Sequence, residues 1–192
     1  MSSDHSNGYD TIAAEFIDIR STVGTDIVTK WADTLPPKST VVDIGAGSGM
    51  PLTSILIKKG LSVFAIDASP RMVTAFRQQF PTIEIACEPA EQSRFFGRHF
   101  DAALAIGLIF LLPEDRQTVL LRHICSVLNP GGRLLFSAPH QTCTWKDMLT
   151  GQISSSLGRD AYSAILSDAD MILLGTHEDE GGNNYYDAQK KL

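Results

Sequence analysis

The chain of 192 residues lacks a hydrophobic run long enough to span a membrane, and its first residues are polar rather than basic and then apolar. These absences argue against a membrane-spanning segment and a signal peptide. Its three cysteines, Cys87, Cys125 and Cys143, are odd in number and widely spaced, which fits neither a disulfide framework nor a zinc site. We therefore expect free thiols, no metal site and a cytoplasmic location.

Basic clusters are also missing, and the formal net charge is −6. Nucleic-acid binding depends on lysine and arginine side chains that neutralise phosphates, so no nucleic-acid partner is expected, and no membrane partner either. A hydrophobic content of 43% over this length suits one globular domain with a single core.

The most informative segment that is present is Asp-Ile-Gly-Ala-Gly-Ser-Gly at 43–49. It follows a short apolar run and precedes an amphipathic segment at 50–59, which predicts a strand, a tight turn and a helix. A second apolar run ends at Asp67, where a doubly wound sheet places the carboxylate that binds a ribose. The ligand is therefore expected to carry an adenosine-like ribose.

Two other nucleotide motifs are incomplete. The dinucleotide fingerprint needs a third glycine where this chain has Met50, and no Gly-Lys-Ser or Gly-Lys-Thr follows Gly45 as a phosphate loop requires. Asp43 would repel a diphosphate, whereas it suits a ligand's ammonium group, directly or through water. A ligand with a ribose, a cationic end and no phosphate is S-adenosylmethionine.

Four segments, in order, resemble the signatures of class I S-adenosylmethionine-dependent methyltransferases of the small-molecule type. They are 43–49, Ile-Asp-Ala-Ser-Pro-Arg-Met at 66–72, Ala-Glu at 90–91 with Phe-Asp ten residues later, and Leu-Asn-Pro-Gly-Gly-Arg-Leu-Leu at 128–135. The resemblance covers roughly half of the chain, from about 41 to 137. It departs from the family at Pro89, where members often have an acid for the adenine amino group; Glu88 and Glu91 are the alternatives.

The resemblance implies a set of cofactor contacts. Asp67 would accept both ribose hydroxyls, the backbone at 105–107 would face the cofactor ammonium, and the first helix would close as a lid, where Arg20 is either a ligand of the cofactor carboxylate or a solvated residue. The residues expected to bind the cofactor are Asp43, Gly45, Ala46, Gly47, Asp67, Ala68, Met72, Ala90, Glu91, Ala105, Ile106, Arg20 and Tyr9.

The fold class follows from alternating strand and helix patterns after residue 40, which predict a parallel sheet, and from a Gly-Asn-Asn turn at 182–184, which predicts a hairpin. We expect an α/β, doubly wound, mostly parallel seven-stranded sheet with an antiparallel C-terminal strand, the Rossmann-like methyltransferase fold. Residues 1–192 would form one domain, with a flexible tip at 1–8, a helical lid at 9–36, whose first helix begins at Tyr9, and an α/β core at 40–192.

The substrate is expected to be a small molecule. Ala-Ile-Gly-Leu at 105–108 replaces the Asp/Asn-Pro-Pro-aromatic motif of amino-methylating nucleic-acid and glutamine enzymes, and there is no Pro-Cys nucleophile of the kind that cytosine C5 chemistry uses. We expect the substrate pocket to contain Phe110, His140 and Trp145, with His140 as a weak candidate base. The acidic hairpin around Glu178 is the alternative.

The predicted reaction is methyl transfer to a nitrogen, oxygen or sulfur nucleophile, in which much of the rate comes from alignment and exclusion of water. Two alternatives stay open: an S-adenosylmethionine-binding protein without turnover, and an NAD(P)-dependent reductase. The sequence leaves the methyl acceptor, any general base and the oligomeric state open.

Overall fold

The computed structural model describes residues 4–192, so the first three residues of the expected tip lie outside the described residues. The helices in this part are α1 (Ala13–Ile19), α2 (Thr25–Ala32), α3 (Leu52–Lys58), α4 (Pro70–Gln79), α5 (Glu114–Ser126) and α6 (Arg159–Asp168). The strands are β1 (Thr40–Ile44), β2 (Ser62–Asp67), β3 (Glu84–Cys87), β4 (Phe100–Ala105), β5 (Leu128–Ser137), β6 (Cys143–Lys146), β7 (Ile153–Ser156), β8 (Met171–Glu178) and β9 (Asn184–Lys190).

Seven strands form one sheet in the order β3-β2-β1-β4-β5-β9-β8. The first five run parallel, and β9 runs antiparallel to both of its neighbours, β5 and β8. This confirms the expected fold class. Strand order reverses between β1 and β4, and ligands of such sheets bind beyond the carboxyl ends of the strands at that point.

The central strands are apolar because helices cover both faces of the sheet. Val41, Val42 and Ile44 of β1 have no exposed surface. Val41 packs with α2 and α3, while Val42 and Ile44 face the core on the α5 side. Successive residues of β1 therefore pack on opposite faces of the sheet.

Helix α4 begins as its sequence predicts. Ser69 precedes the helix, and its hydroxyl oxygen accepts a hydrogen bond from the backbone N–H of Met72 at 3.1 Å. Pro70 occupies the first helical position, where its missing N–H leaves no helical hydrogen bond unmade. The capped first turn of α4 therefore lies directly after the end of β2.

The N-terminal segment differs from the expected lid. Helix α1 begins at Ala13 rather than at Tyr9, and residues 5–12 form turns, partly because the Asp4 carboxylate accepts bonds from the N–H groups of Ser6 and Gly8. Val28 and Trp31 of α2 are buried against the sheet and α3. Helix α2 is thus part of the core, and the segment before it lies over the sheet edge.

One element was not predicted at all. Strands β6 and β7 pair with each other as a separate antiparallel hairpin after β5, with Trp145 opposite Ser154. The hairpin extends the chain beyond the carboxyl end of β5.

Among residues 4–192 the structure has no helix both long and apolar enough to cross a bilayer.

Candidate functional site

A cavity of about 640 Å³ lies at the carboxyl ends of the central strands. Its walls come from the loop after β1, the loop after β2, the segment between β4 and α5, the β6–β7 hairpin and the N-terminal segment. Cavities of roughly 300–1,000 Å³ are typical of small-molecule and cofactor sites. The cavity therefore occupies the place and has the size that the fold predicts for a ligand site.

The glycine loop at 45–49 forms one wall. The N–H groups of Gly45 and Ala46 donate to the carbonyl oxygen of Ile66 at 2.8 and 3.1 Å, which ties the loop to the end of β2. Gly47 has a φ of 58°, and a Cβ there would meet nothing closer than the Met72 sulfur at 4.0 Å. The backbone of Gly47 thus faces open space, where a ligand has close access to it.

Asp67 is held between two loops at the end of β2. One carboxylate oxygen accepts the N–H of Gly47 at 2.7 Å and the other accepts the N–H of Ser69 at 2.8 Å. Burial raises the pKa of the Asp67 carboxyl, while these two bonds oppose the shift. The side chain lines the cavity in a fixed orientation, with lone pairs left for further donors.

The neighbouring wall is continuous with Asp67. It contains three residues expected to bind the cofactor, Ala68, Met72 and Ala90, together with both alternatives for the missing acid, Glu88 and Glu91. Pro89 is not part of the wall. Which of the two glutamates contacts the adenine stays a prediction.

Asp43 and Ala105, two of the residues expected to bind the cofactor, do not line the cavity with their side chains. Asp43 is 3% exposed, and its carboxylate accepts the hydroxyl of Thr53 at 2.6 Å on the α3 side of the sheet. Because burial outweighs that bond, the pKa of Asp43 rises to about 6. Ala105 is fully buried within β4, whereas Ile106, the next residue, lines the cavity. Alternation therefore turns both side chains into the core, while the expected backbone contact of Ala105 and a contact of Asp43 through water stay predictions.

The N-terminal segment bridges the cavity mouth. Asp10 accepts the hydroxyl of Ser69 at 2.6 Å and the N–H of Arg71 at 3.0 Å, both on the β2 side. Tyr9 donates its hydroxyl to Asp147 at 3.3 Å on the hairpin side. The two adjacent residues connect opposite walls, and closure of this segment as a lid over the cofactor stays a prediction.

Arg20 also lines the cavity, just after α1. Its guanidinium lies 5.4 Å from the ring centre of Phe16, which stacks edge-on against Tyr9 at 5.0 Å. The side chain therefore faces the cavity over an aromatic pair and carries a positive charge there. Its binding of a cofactor carboxylate stays a prediction.

Of the three residues expected in the substrate pocket, two line the cavity and one does not. Phe110 and Trp145 both line the cavity, with ring centres 5.4 Å apart. His140 does not line it: the backbone N–H donates to the side chain of Asn184, and the ring packs edge-on against buried Tyr186. The expected place of His140 in the substrate pocket is wrong, because its bond to the start of β9 turns the ring away.

Asp147 is a lining residue that the sequence did not predict. Asp147 follows β6, whose existence was not predicted, so nothing in the sequence placed it near the site. Tyr185 on β9 lines the cavity and donates its hydroxyl to Asp179 at 2.7 Å. The Gly-Asn-Asn turn that signalled the hairpin also gave the position of Tyr185, although not its direction. Glu178, the alternative substrate residue, is outside the wall.

Comparison with known proteins identifies this architecture. A family model described as a methyltransferase domain matches residues 41–132, just under half of the chain. An uncharacterized methyltransferase of Mycobacterium tuberculosis is 33% identical over 94 residues, which are 49% of this chain and 37% of that protein. The chain therefore spans well under half the length of this relative.

Solved structures share the whole fold. The N-methyltransferase NodS from Bradyrhizobium japonicum, crystallised with S-adenosylhomocysteine, has a TM-score of 0.74 at 14% identity, with 98% of this chain and 99% of that chain covered. The 1,6-didemethyltoxoflavin-N1-methyltransferase from Burkholderia thailandensis, with S-adenosylhomocysteine bound, has a TM-score of 0.71 at 18% identity, with 100% and 92% covered. With the sheet order, these matches show that the chain has the Rossmann-like methyltransferase fold, and its residues 41–132 match a methyltransferase domain.

Proposed function

We propose that the chain transfers the methyl group of S-adenosylmethionine to a nucleophile of a small molecule. The observation that carries the proposal is the Asp67 carboxylate, fixed by Gly47 and Ser69 at the wall of a cavity large enough for a cofactor and an acceptor. Asp67 would hold the ribose, and the glycine loop with Arg20 and Ile106 would hold the methionyl end. Ala68, Met72 and Ala90 would contact the adenine.

When bound, S-adenosylmethionine supplies a methyl group on a positively charged sulfur. The acceptor's lone pair forms the new bond to the methyl carbon while the carbon–sulfur bond breaks and its electrons remain on sulfur. The contribution of the chain is to align acceptor, methyl and sulfur and to exclude water. The bridge formed by Tyr9 and Asp10 over the mouth serves both purposes.

The first test is cofactor selectivity by titration calorimetry. We expect S-adenosylmethionine and S-adenosylhomocysteine to bind at micromolar concentrations and NADH to bind more weakly, because Met50 stands where diphosphate binding needs a glycine. Tighter binding of NADH than of either adenosyl ligand would favour the reductase and overturn the proposal. Release of S-adenosylhomocysteine with a pool of candidate acceptors separates an enzyme from a binding protein.

Trp145 and His140 provide a matched pair of variants. We expect Trp145→Ala to raise the Michaelis constant for the acceptor by about 2- to 12-fold, the equivalent of the ~0.5–1.5 kcal/mol of an aromatic pair. His140→Ala should leave it unchanged, since the ring lies outside the cavity. Steady-state kinetics at saturating cofactor measure both. An equal increase of the Michaelis constant in both variants would show that the substitutions act by destabilising the fold rather than by removing a contact with the acceptor.

A further inference from the structure

The two ends of the cavity differ in what they present to a ligand. Strands β2 and β5 are three strand spacings apart in the sheet, which is about 14 Å. Asp67 ends β2, whereas Trp145 and Asp147 lie on the hairpin that follows β5. The hairpin end is therefore remote from the ribose carboxylate and available to the methyl acceptor.

The Asp147 carboxylate is oriented by its own hairpin. Its Oδ1 accepts the N–H groups of Leu149 at 2.9 Å and Thr150 at 2.7 Å, and the Thr150 hydroxyl at 3.1 Å. Among residues 4–192, its Oδ2 accepts one hydrogen bond, from the hydroxyl of Tyr9 at 3.3 Å. The first oxygen fixes the side chain, so the second is left with acceptor capacity on the cavity wall.

Asp147 is ionised near neutral pH. Partial burial acts to raise the pKa of its carboxyl, but the bonds from Thr150, Leu149 and Tyr9 together hold it below the usual value. The charge therefore persists in the conditions under which an acceptor binds.

The rest of the wall strengthens this charge. Three other side chains that line the cavity carry carboxylates, Asp67, Glu88 and Glu91, against the guanidinium of Arg20 and the imidazole of His5. A surface with this balance repels anionic ligands and attracts cationic ones. Phe110 and Trp145 lie at the same end as Asp147 and offer their rings to an apolar body or to a cation.

We propose that the methyl acceptor is an amine with an aromatic or apolar body, whose nitrogen binds Asp147 Oδ2 and whose body packs against Phe110 and Trp145. This rests on the proposed methyl transfer and narrows it to nitrogen. The amine loses its proton to solvent, and its lone pair then bonds to the methyl carbon as the carbon–sulfur bond breaks. Positive charge moves from sulfur to nitrogen, where the Asp147 carboxylate stabilises it. The methylated ammonium finally releases a proton to solvent.

The test uses three probes of one shape on protein saturated with S-adenosylhomocysteine: phenethylamine, 2-phenylethanol and phenylacetate. Calorimetry should show that phenethylamine binds at least about tenfold more tightly than 2-phenylethanol, since its ammonium gains a charged hydrogen bond. Phenylacetate should bind most weakly. Asp147→Asn should abolish the preference for the amine, because the amide oxygen still accepts the bonds of the hairpin turn while the charge is lost.

Asp115→Asn is the matched control, since Asp115 is an exposed carboxylate on α5 away from the cavity and its loss should change nothing. Unchanged affinity of Asp147→Asn for S-adenosylhomocysteine shows that the variant is folded. An amine preference that survives in Asp147→Asn, equal or tighter binding of phenylacetate, or no binding of phenethylamine would each overturn the inference. Failure of S-adenosylhomocysteine itself to bind would instead overturn the proposed function.

Discussion

Asp67→Ala is expected to weaken S-adenosylmethionine binding by roughly 10- to 150-fold. The carboxylate would accept hydrogen bonds from the ribose hydroxyls, and the fold-change corresponds to the about 1.5–3 kcal/mol of one hydrogen bond to a charged group. The substitution also removes the acceptors of the Gly47 and Ser69 N–H groups, so the glycine loop loses one of its attachments to the end of β2. Titration calorimetry on the purified variant measures the loss.

Glu84→Ala is the control for this prediction. Glu84 is an exposed carboxylate at the start of the adjacent strand β3 and does not line the cavity. It should bind the cofactor as the unmodified chain does. If Asp67→Ala is folded by circular dichroism and binds with unchanged affinity, the assigned ribose contact is refuted.

Gly49→Ala is expected to lower the free energy of unfolding by about 2–5 kcal/mol. Gly49 has a φ of 81°, and a Cβ there would lie 2.5 Å from the ring of Phe80 and 2.8 Å from the ring of Phe76. A left-handed conformation costs an L-residue roughly 1–2 kcal/mol, and overpacking adds about 1–3 kcal/mol. Because domains are stable by only about 5–15 kcal/mol, a large part of the stability is lost.

Gly60→Ala measures the backbone part of that cost alone, and its difference from Gly49→Ala gives the steric part. Gly60 has a similar φ of 76°, but a Cβ there would meet no atom within 4 Å. It should cost only the backbone contribution of about 1–2 kcal/mol. Urea unfolding monitored by circular dichroism compares the two variants. Equal losses would show that the Phe76 and Phe80 rings move aside at no cost.

Elements that depend on local chemistry could be predicted from the amino-acid sequence alone. The apolar run of β1, the glycines after it and the carboxylate at the end of β2 form one βαβ unit, and neighbouring residues decide each part of it. Ser69 and Pro70 start α4 through contacts within a single turn. The Gly-Asn-Asn turn predicted the C-terminal hairpin, and the antiparallel pairing of β9 confirms that prediction.

The side chains that meet at the acceptor end are brought together by long-range contacts that the sequence does not reveal. Tyr9 and Asp147 are 138 residues apart in the chain, and Asp10 and Ser69 are 59 apart, so no local pattern reports either contact. His140 was misplaced because its bond to Asn184, 44 residues away, turns the ring onto Tyr186. The alternation of side chains along a strand can be predicted from the sequence. Which face of the sheet points toward the cavity depends on long-range hydrogen bonds and core packing.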